Sequence, residues 1–183
     1  MRLQSDTLPR ILDRIGEQSH GPVLELLGPT VEFLTPPDRH AGFCVMRGVI
    51  PPGRIVPLHS HDDIEAVCVI SGSKQALTRG EAGLEWRRLE AGDYVHLESG
   101  APHAWRNDTT EPVVDLLVTT SRIGRFFQEV GRPRGSTPRR PLADELARFA
   151  AVAAKYGFWL ATPEENASFG MALPTPALGN ATT

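Results

Sequence analysis

The sequence has few cysteines and no long apolar segment, and both shortages narrow the class of protein. Its two cysteines, Cys44 and Cys68, lie in separate apolar runs without the CxxC spacing of a zinc or redox pair. We expect both to be reduced core residues, although a disulfide between distant strands stays an alternative. No run approaches the roughly 20 apolar residues of a membrane span, and the N-terminus lacks the apolar core of a signal peptide. These absences predict a soluble cytoplasmic protein with no membrane partner.

The sequence also lacks any concentration of charge of one sign. Its 19 basic and 22 acidic side chains give a net charge of −3 and are spread over both halves of the chain. A nucleic-acid-binding surface needs a basic stripe, so we expect no nucleic-acid partner. There is no internal repeat, and 183 residues with 40% hydrophobic content are enough for one domain with one core.

Short apolar runs separated by Gly, Pro, Asn and Asp fill the sequence from about residue 30 to residue 120. This spacing of turn residues is typical of an all-β sandwich or barrel. The predicted strands are residues 30–35, 42–50, 54–61, 65–71, 74–78, 85–90, 93–98, 103–107 and 113–120.

After residue 120 the apolar spacing becomes helical. One short amphipathic helix is predicted between Ser121, the expected N-cap, and Gly131, the expected stop. A second helix is predicted from Leu142 to Gly157, and a capping box at Thr162 predicts one further turn. A short helix near residues 8–15 is a weaker candidate. We divide the chain into an N-terminal extension, a β-barrel, a C-terminal helical extension and a disordered tail, which cover residues 1–28, 29–120, 121–173 and 174–183.

The stretch HSHDDIE places three side chains that bind metals well within seven residues. Alternate side chains of an extended strand share a face, so His59 and His61 can point the same way. Asp62 and Asp63 suit a turn better than acid catalysis, and that turn would bring Glu65 back beside the histidines. Because Glu65 begins a run that is apolar on both faces, its carboxylate needs a partner. A divalent cation is the partner that the histidines imply.

A second stretch, GDYVHLESGAPHAWRN, has the same organisation of turn, strand, turn and strand. His103 begins the last of these strands, where it could supply a fourth ligand. Trp105 would share the face of His103, either as a pocket wall or as a core residue. For His96 we favour a place at the sheet surface over one in the pocket.

The spacing of these residues resembles the two conserved motifs of the cupin family. The first motif is matched, at spacings x5, x, x3 and x6, by Gly53, His59, His61, Glu65 and Gly72. The second is matched by Gly92, Asp93, Gly100, His103 and Asn107, with Glu98 where proline is usual. Ten fixed positions are much more specific than a lone HxH pair.

The resemblance implies an all-β cupin barrel, a double-stranded β-helix or jelly roll of two antiparallel sheets, with C-terminal helices. It also implies one divalent transition metal ion held by His59, His61, Glu65 and His103. Three imidazoles and one carboxylate suit Fe, Ni, Mn, Co, Cu or Zn, and they leave coordination positions open for a substrate. The alternative is a cupin that has lost its metal.

The C-terminal stretches GRFFQEVGRP and AAKYGFWL are similar to the extension of bacterial quercetin dioxygenase-like cupins. We expect a metal-dependent dioxygenase in which Glu65 acts as the catalytic base. Exposed strand edges and an amphipathic C-terminal helix, by analogy with related cupins, predict a homodimer. Its small-molecule substrate would be an enolisable or phenolic compound such as a flavonol, a β-diketone or an aromatic ketone. Two alternatives stay open: a non-oxidative metal-dependent isomerase, lyase or decarboxylase, and a non-enzymatic small-molecule-binding cupin.

Overall fold

The computed structural model describes residues 22–38, 42–137 and 141–173, which form two antiparallel sheets and three helices. In the larger sheet the strand order is β11-β1-β2-β3-β10-β5-β8, and in the smaller sheet it is β12-β4-β9-β6-β7. The larger sheet consists of β1 (Leu24–Glu25), β2 (Thr30–Thr35), β3 (Phe43–Ile50), β5 (Glu65–Ser71), β8 (Tyr94–Leu97), β10 (Val113–Thr120) and β11 (Arg132–Pro133). The smaller consists of β4 (Ile55–Ser60), β6 (Ser73–Arg79), β7 (Leu84–Glu90), β9 (His103–Arg106) and β12 (Trp159–Leu160).

The centre of the larger sheet follows from the alternation of apolar residues in its strands. Strand β10 pairs with β3 from Val113 opposite Ile50 to Thr120 opposite Phe43, and with β5 on its other side. Every second residue of β3 from Cys44 onward is buried, because successive side chains point to opposite faces of a sheet. The nine strands predicted from the sequence are all present, and their ends differ from the prediction by at most one residue.

The main core lies between the two sheets. Its buried members come from both: Val67, Val69 and Val113 from the larger sheet, Ala76 and Trp105 from the smaller. Removing each large apolar side chain from water stabilises the fold by about 1.5–3 kcal/mol. This core sets the distance between the sheets and therefore the width of the space that they enclose.

Helices α1 (Ser121–Val130), α2 (Leu142–Lys155) and α3 (Pro163–Ser168) follow the barrel strands, as the sequence predicts. The predicted N-cap Ser121 is wrong by one residue: Thr120 has the extended conformation of a cap, and its hydroxyl accepts a hydrogen bond from the Ile123 N–H. The capping box at Thr162 is confirmed, with Glu165 as its reciprocal partner. No helix in the described ranges is long and apolar enough to cross a membrane.

Two-residue strands extend both sheets in places that the sequence did not predict. Within the predicted N-terminal extension, Leu24–Glu25 pairs with β2 and with Arg132–Pro133, so the segment that follows α1 contributes a strand. Trp159–Leu160 pairs with β4 of the smaller sheet. The candidate helix at residues 8–15 and the predicted disordered tail at 174–183 lie outside the described residues.

Both cysteines are free thiols, as expected from their spacing. Cys44 is buried, its thiol donates a hydrogen bond to the carbonyl of Thr35, and burial raises its pKa to about 11. Cys68 is half-buried on β5. The buried Cys44 therefore behaves as a small core residue rather than as a nucleophile.

Candidate metal centre

Three histidines meet where strands β4 and β9 pair. His59 lies near the end of β4, directly opposite His103 at the start of β9, and His61 follows the end of β4. The ring centroid of His103 lies 4.2 Å from that of His59 and 5.2 Å from that of His61. One nitrogen from each ring falls within 4.8 Å of the others, so the three residues could hold a metal ion.

Each of these histidines is oriented by a backbone carbonyl. Nδ1 of His59, His61 and His103 lies 2.8, 3.1 and 2.8 Å from the carbonyl oxygens of Pro57, Asp63 and Ala101 respectively. Because a carbonyl only accepts, each neutral ring carries its proton on Nδ1 and presents a lone pair at Nε2. The buried Nε2 of His103 has no hydrogen-bond partner among the described residues. A metal ion would satisfy that lone pair, so the residues fit the ion that the sequence predicts.

The electrostatic surroundings keep two of the rings uncharged. Burial, together with repulsion from His103, lowers the pKa of His59 to about 3. Burial also lowers the pKa of His103 to about 4. Both imidazoles are therefore neutral at physiological pH, which is the form that binds a metal.

Glu65 lies beside this cluster. It begins β5 opposite Thr119 of β10, it is 5% exposed, and its Oε2 is 3.8 Å from His61 Nε2. The chain reverses between His61 and Glu65, as the predicted turn requires. The four residues chosen from the sequence therefore lie together, with the carboxylate next to one of the three imidazoles.

Asp63 does more than form that turn. Its carboxylate is buried, accepts a hydrogen bond from the Thr120 hydroxyl, and pairs with Arg122, whose Nη2 lies 2.5 Å from Oδ2. Arg122 also donates to the carbonyl of Tyr156, and the ring of Phe158 packs 5.2 Å from the ring of His61. Asp63 thus fastens the His61 turn to the start of α1 and to the C-terminal extension, which the sequence analysis missed.

Two motif glycines have backbone reasons to be glycine. Gly100 has φ +75° and donates its N–H to the His61 carbonyl at 2.8 Å, which joins the loops of the two motifs. Gly72 has φ +78°, and a Cβ there would lie 2.7 Å from the carbonyl oxygen of Pro112. A residue with a side chain would be strained at either position.

A cavity of about 410 Å³ lies against the cluster. His59, His61 and Glu65 contribute to its wall, and most of the remaining wall is apolar, including Trp105 and Phe158. Trp105 is both a buried core residue and a wall residue, so its two expected roles coincide. His96 is exposed at the sheet surface, as expected. The site is therefore a group of metal-ligand side chains facing an apolar chamber.

A comparison with protein families decides what kind of barrel this is. The profile described as the cupin domain matches residues 46–119, which contain the three histidines and Glu65. The central β-structure is therefore similar to the cupin domain. The expected all-β cupin barrel with C-terminal helices is thereby confirmed.

Comparison with solved structures shows that the chain is similar to proteins of several kinds. The cupin domain of an XRE family transcriptional regulator from Enterobacter cloacae is 28% identical, and the match covers 50% of this chain and 95% of that one with a TM-score of 0.42. For the DMSP lyase from Ruegeria pomeroyi the identity is 28%, the coverage 44% and 39%, and the TM-score 0.40. A predicted oxalate decarboxylase from Thermotoga maritima is 20% identical, and the match covers 56% of this chain and 96% of that one with a TM-score of 0.49. No curated protein matches the sequence.

The cupin barrel also contains a buried ion pair that the sequence analysis missed. Lys74 of β6 and Asp115 of β10 are 1% and 3% exposed, and Nζ lies 2.6 Å from Oδ2. Burial lowers the pKa of Lys74 and raises that of Asp115, while the charge of each partner opposes the shift of the other. Both residues line the same cavity as Glu65. The sequence does contain a signal that Asp115 is buried, because Asp115 interrupts the apolar run VVDLLV just as Glu65 begins an apolar run.

Proposed function

We propose that this protein is a metal-dependent dioxygenase that acts on a small enolisable or phenolic compound, such as a flavonol, a β-diketone or an aromatic ketone. The observation that carries the proposal is the convergence of three imidazole Nε2 lone pairs beside Glu65, next to an apolar cavity whose wall includes His59, His61 and Glu65. A volume of about 410 Å³ falls within the range of sites for small molecules and accommodates a compound of one to three rings.

In this proposal His59, His61, Glu65 and His103 hold one divalent ion of Fe, Ni, Mn, Co, Cu or Zn. When bound, such an ion supplies a Lewis acid that lowers the pKa of a ligated substrate hydroxyl, and it has further positions open for O₂. The backbone carbonyls that accept from the Nδ1 atoms hold the three rings in the ligating orientation.

Glu65 has a second proposed role as the catalytic base. Its carboxylate lies on the cavity wall, where it can accept the proton that an enolisable or phenolic substrate loses. Phe158 and Trp105 supply flat apolar surfaces on which an aromatic ring can pack. The apolar lining excludes water from the reacting carbon and so disfavours hydrolytic side reactions.

The test is oxygen uptake by protein loaded separately with Fe(II), Ni(II), Co(II) and Mn(II), against flavonols, β-diketones and hydroxyacetophenones. Uptake that requires one metal and one compound class supports the proposal. Substrate conversion without oxygen uptake would assign the site to a metal-dependent isomerase, lyase or decarboxylase. Tight binding without conversion would assign it to a small-molecule-binding cupin.

The role of Glu65 can be separated from metal binding. In Glu65→Gln protein that retains its metal, we expect turnover to fall by about 10²–10⁴-fold, the usual contribution of a general base. Metal content is measured alongside the initial rate. Glu81→Gln, an exposed glutamate between β6 and β7, is the matched control and should keep the wild-type rate. Full activity of metal-loaded Glu65→Gln protein would eliminate the base role.

We also propose that the protein is a cytoplasmic homodimer that pairs through the outer face of the larger sheet. Large apolar side chains are exposed along that face, on or beside its strands: Phe43, Ile64, Ile70, Tyr94 and Val118. A contiguous apolar surface of this kind is a frequent mark of a protein interface. The two free thiols agree with a reducing compartment.

A further inference from the structure

The ion pair of Lys74 and Asp115 crosses the interior of the barrel. Lys74 belongs to β6 of the smaller sheet and Asp115 to β10 of the larger sheet, and their side chains meet in the wall of the cavity. A buried ion pair can often be replaced by apolar residues without loss of stability, so fold stability alone does not explain its presence. Its position on the cavity wall points to a ligand.

The pair is incompletely satisfied. Asp115 Oδ1 is buried and accepts no hydrogen bond within the described ranges. The Lys74 ammonium group carries three N–H donors, and Asp115 is its one hydrogen-bond acceptor among the same residues. One face of the ammonium group lies over the Trp105 ring, 3.9 Å from the centroid. An acceptor and a donor are therefore left side by side at the cavity.

The pair lies deeper in the barrel than the metal-ligand residues. Along the paired strands β5 and β10, Glu65 is opposite Thr119, Val67 is opposite Leu117, and Val69 is opposite Asp115. Glu65 and Val69 are four residues apart along β5, which corresponds to about 13 Å between their Cα atoms. Trp105 occupies the intervening level, with its ring 6.0 Å from the ring of His103.

A hydroxyl group fits this arrangement best. It can accept a hydrogen bond from Lys74 and at the same time donate one to Asp115 Oδ1, whereas a carboxylate would be repelled by Asp115 and an ammonium by Lys74. The substrate would then bind at two points, with one oxygen at the metal and a second on the far side of an apolar, ring-sized spacer.

We propose that Lys74 and Asp115 form a specificity site for a second hydroxyl group of the substrate, so that the cavity selects polyhydroxylated aromatic compounds over analogues with a single hydroxyl. This inference rests on the proposed metal site for the orientation of the ligand, but it does not depend on the dioxygenase reaction. A site built to hydrogen-bond a hydroxyl discriminates strongly against the analogue that lacks it, because its own polar groups are then left unpaired.

The test is calorimetric binding to Ni(II)-loaded protein without oxygen, so that no turnover is needed. The reference probe is 2′-hydroxyacetophenone, whose carbonyl and neighbouring hydroxyl can chelate the metal. The test probes are the positional isomers of dihydroxyacetophenone that keep the 2′-hydroxyl and carry one additional ring hydroxyl. We expect at least one isomer to bind about tenfold more tightly than the reference. If no isomer binds wild-type protein more tightly than the reference, the proposal is wrong.

The variant Lys74→Met with Asp115→Leu removes both charges with apolar side chains of similar size and leaves no buried partner alone. We expect it to keep its metal and to bind the test probes no more tightly than the reference probe, so that the preference for the extra hydroxyl is lost. A preference that survives in the double variant would overturn the proposal.

The matched control replaces a surface ion pair in the same way, Lys155→Met with Glu129→Leu, and should keep the preference. Loss of the preference in the control as well would assign the effect to a general change and contradict the proposal. Oxygen uptake tests the dioxygenase reaction separately, so a failure of one inference is distinguishable from a failure of the other.

Discussion

The three histidines of the candidate metal centre are oriented by main-chain atoms, and this has a consequence at the scale of single residues. The acceptors are the carbonyl oxygens of Pro57, Asp63 and Ala101, each two positions from its histidine. Substitutions of these three side chains leave the carbonyls in place as long as the backbone keeps its path. The ligands themselves have no such tolerance.

Substitution of His103 should abolish metal binding. His103→Ala removes a buried imidazole from the centre of the cluster, and we expect metal affinity to fall by more than the roughly 10–100-fold that follows loss of a supporting residue. Metal content after dialysis against a weak chelator measures the effect. His96→Ala, an exposed histidine, is the control and should bind metal as the wild type does. Equal metal content in the two variants would contradict the assigned site.

The lowered pKa of His103 predicts how the stability of the metal-free protein depends on pH. The pKa of His103 is about 4 in the folded protein and near 6.5 when unfolded. Between these values the unfolded chain binds a proton that the folded chain does not, so the free energy of unfolding falls as the pH is lowered from 6.5 to 4.

Urea denaturation at several pH values tests this dependence. In His103→Asn protein the slope between pH 6.5 and pH 4 should decrease by up to one proton, or about 1.4 kcal/mol per pH unit. The difference in slope is confined to pH values below 6.5, because above pH 6.5 His103 is unprotonated in both the folded and the unfolded state. A slope equal to that of the wild type would show that His103 is protonated equally in the two states.

Residues of the candidate site differ in how well the sequence alone identifies them. His59, His61 and Glu65 could be chosen because local spacing and strand alternation place them together, and His103 because its stretch resembles the second cupin motif. Lys74 and Asp115 are 41 residues apart in sequence, and only the closure of the two sheets brings them into contact. Local pattern shows that such side chains are buried but does not show which partner they meet.

At the scale of elements, strand β4 depends on neighbours that are distant in sequence. It carries His59 and is paired with β9 on one side and with Trp159–Leu160 on the other. Helix α3 secures this edge: the side chain of Asn166 is fully buried, and its Oδ1 accepts from the Leu58 N–H while its Nδ2 donates to the carbonyl of Ala161. The metal-ligand strand is thus fixed by the C-terminal extension.

Replacing Asn166 with alanine should therefore destabilise the fold. The change leaves the buried Leu58 N–H without its acceptor, which costs about 1–3 kcal/mol. The midpoint of urea denaturation measures the loss. Ser168→Ala in the same helix removes an exposed hydroxyl and should change stability by less than about 0.5 kcal/mol. Similar midpoints for the two variants would show that Asn166 does not support β4.

The long strands and helices α1 and α2 could be predicted because each has several residues of clear periodicity, and α3 could be predicted from the capping box at Thr162. The two-residue strands β1, β11 and β12 could not, because two residues define no period and their hydrogen bonds come from partners far along the chain. The N-cap of α1 was misplaced by one residue because Thr120 and Ser121 are both good capping residues, and only the backbone conformation distinguishes them.

At the scale of the whole molecule, the two sheets differ in their outer faces. The larger sheet exposes large apolar side chains such as Tyr94, which is 63% exposed, and Ile64, which is 57% exposed. The outer face of β7 in the smaller sheet carries the exposed charges of Arg88 and Glu90. This asymmetry favours the larger sheet as the surface that pairs two copies of the chain.

A charge placed on this face should separate the copies. We expect wild-type protein to have the mass of a dimer by light scattering and Tyr94→Glu protein that of a monomer, because an unpaired carboxylate is costly to bury in an interface. Arg88→Glu on the outer face of the smaller sheet is the control and should remain dimeric. A monomeric wild-type protein, or a dimeric Tyr94→Glu variant, would exclude this interface.

The late position of the strand that covers β4 also bears on biosynthesis. The barrel strands through β10 leave the ribosome before Phe158 and Leu160, and at about 5–20 residues per second the remaining stretch takes roughly 2–8 s to be made. During that interval the three histidines have already been synthesised, but the C-terminal segment that covers them has not yet emerged from the ribosome. We therefore expect metal ions to reach the nascent site more readily than the finished one, in which Phe158 packs against His61.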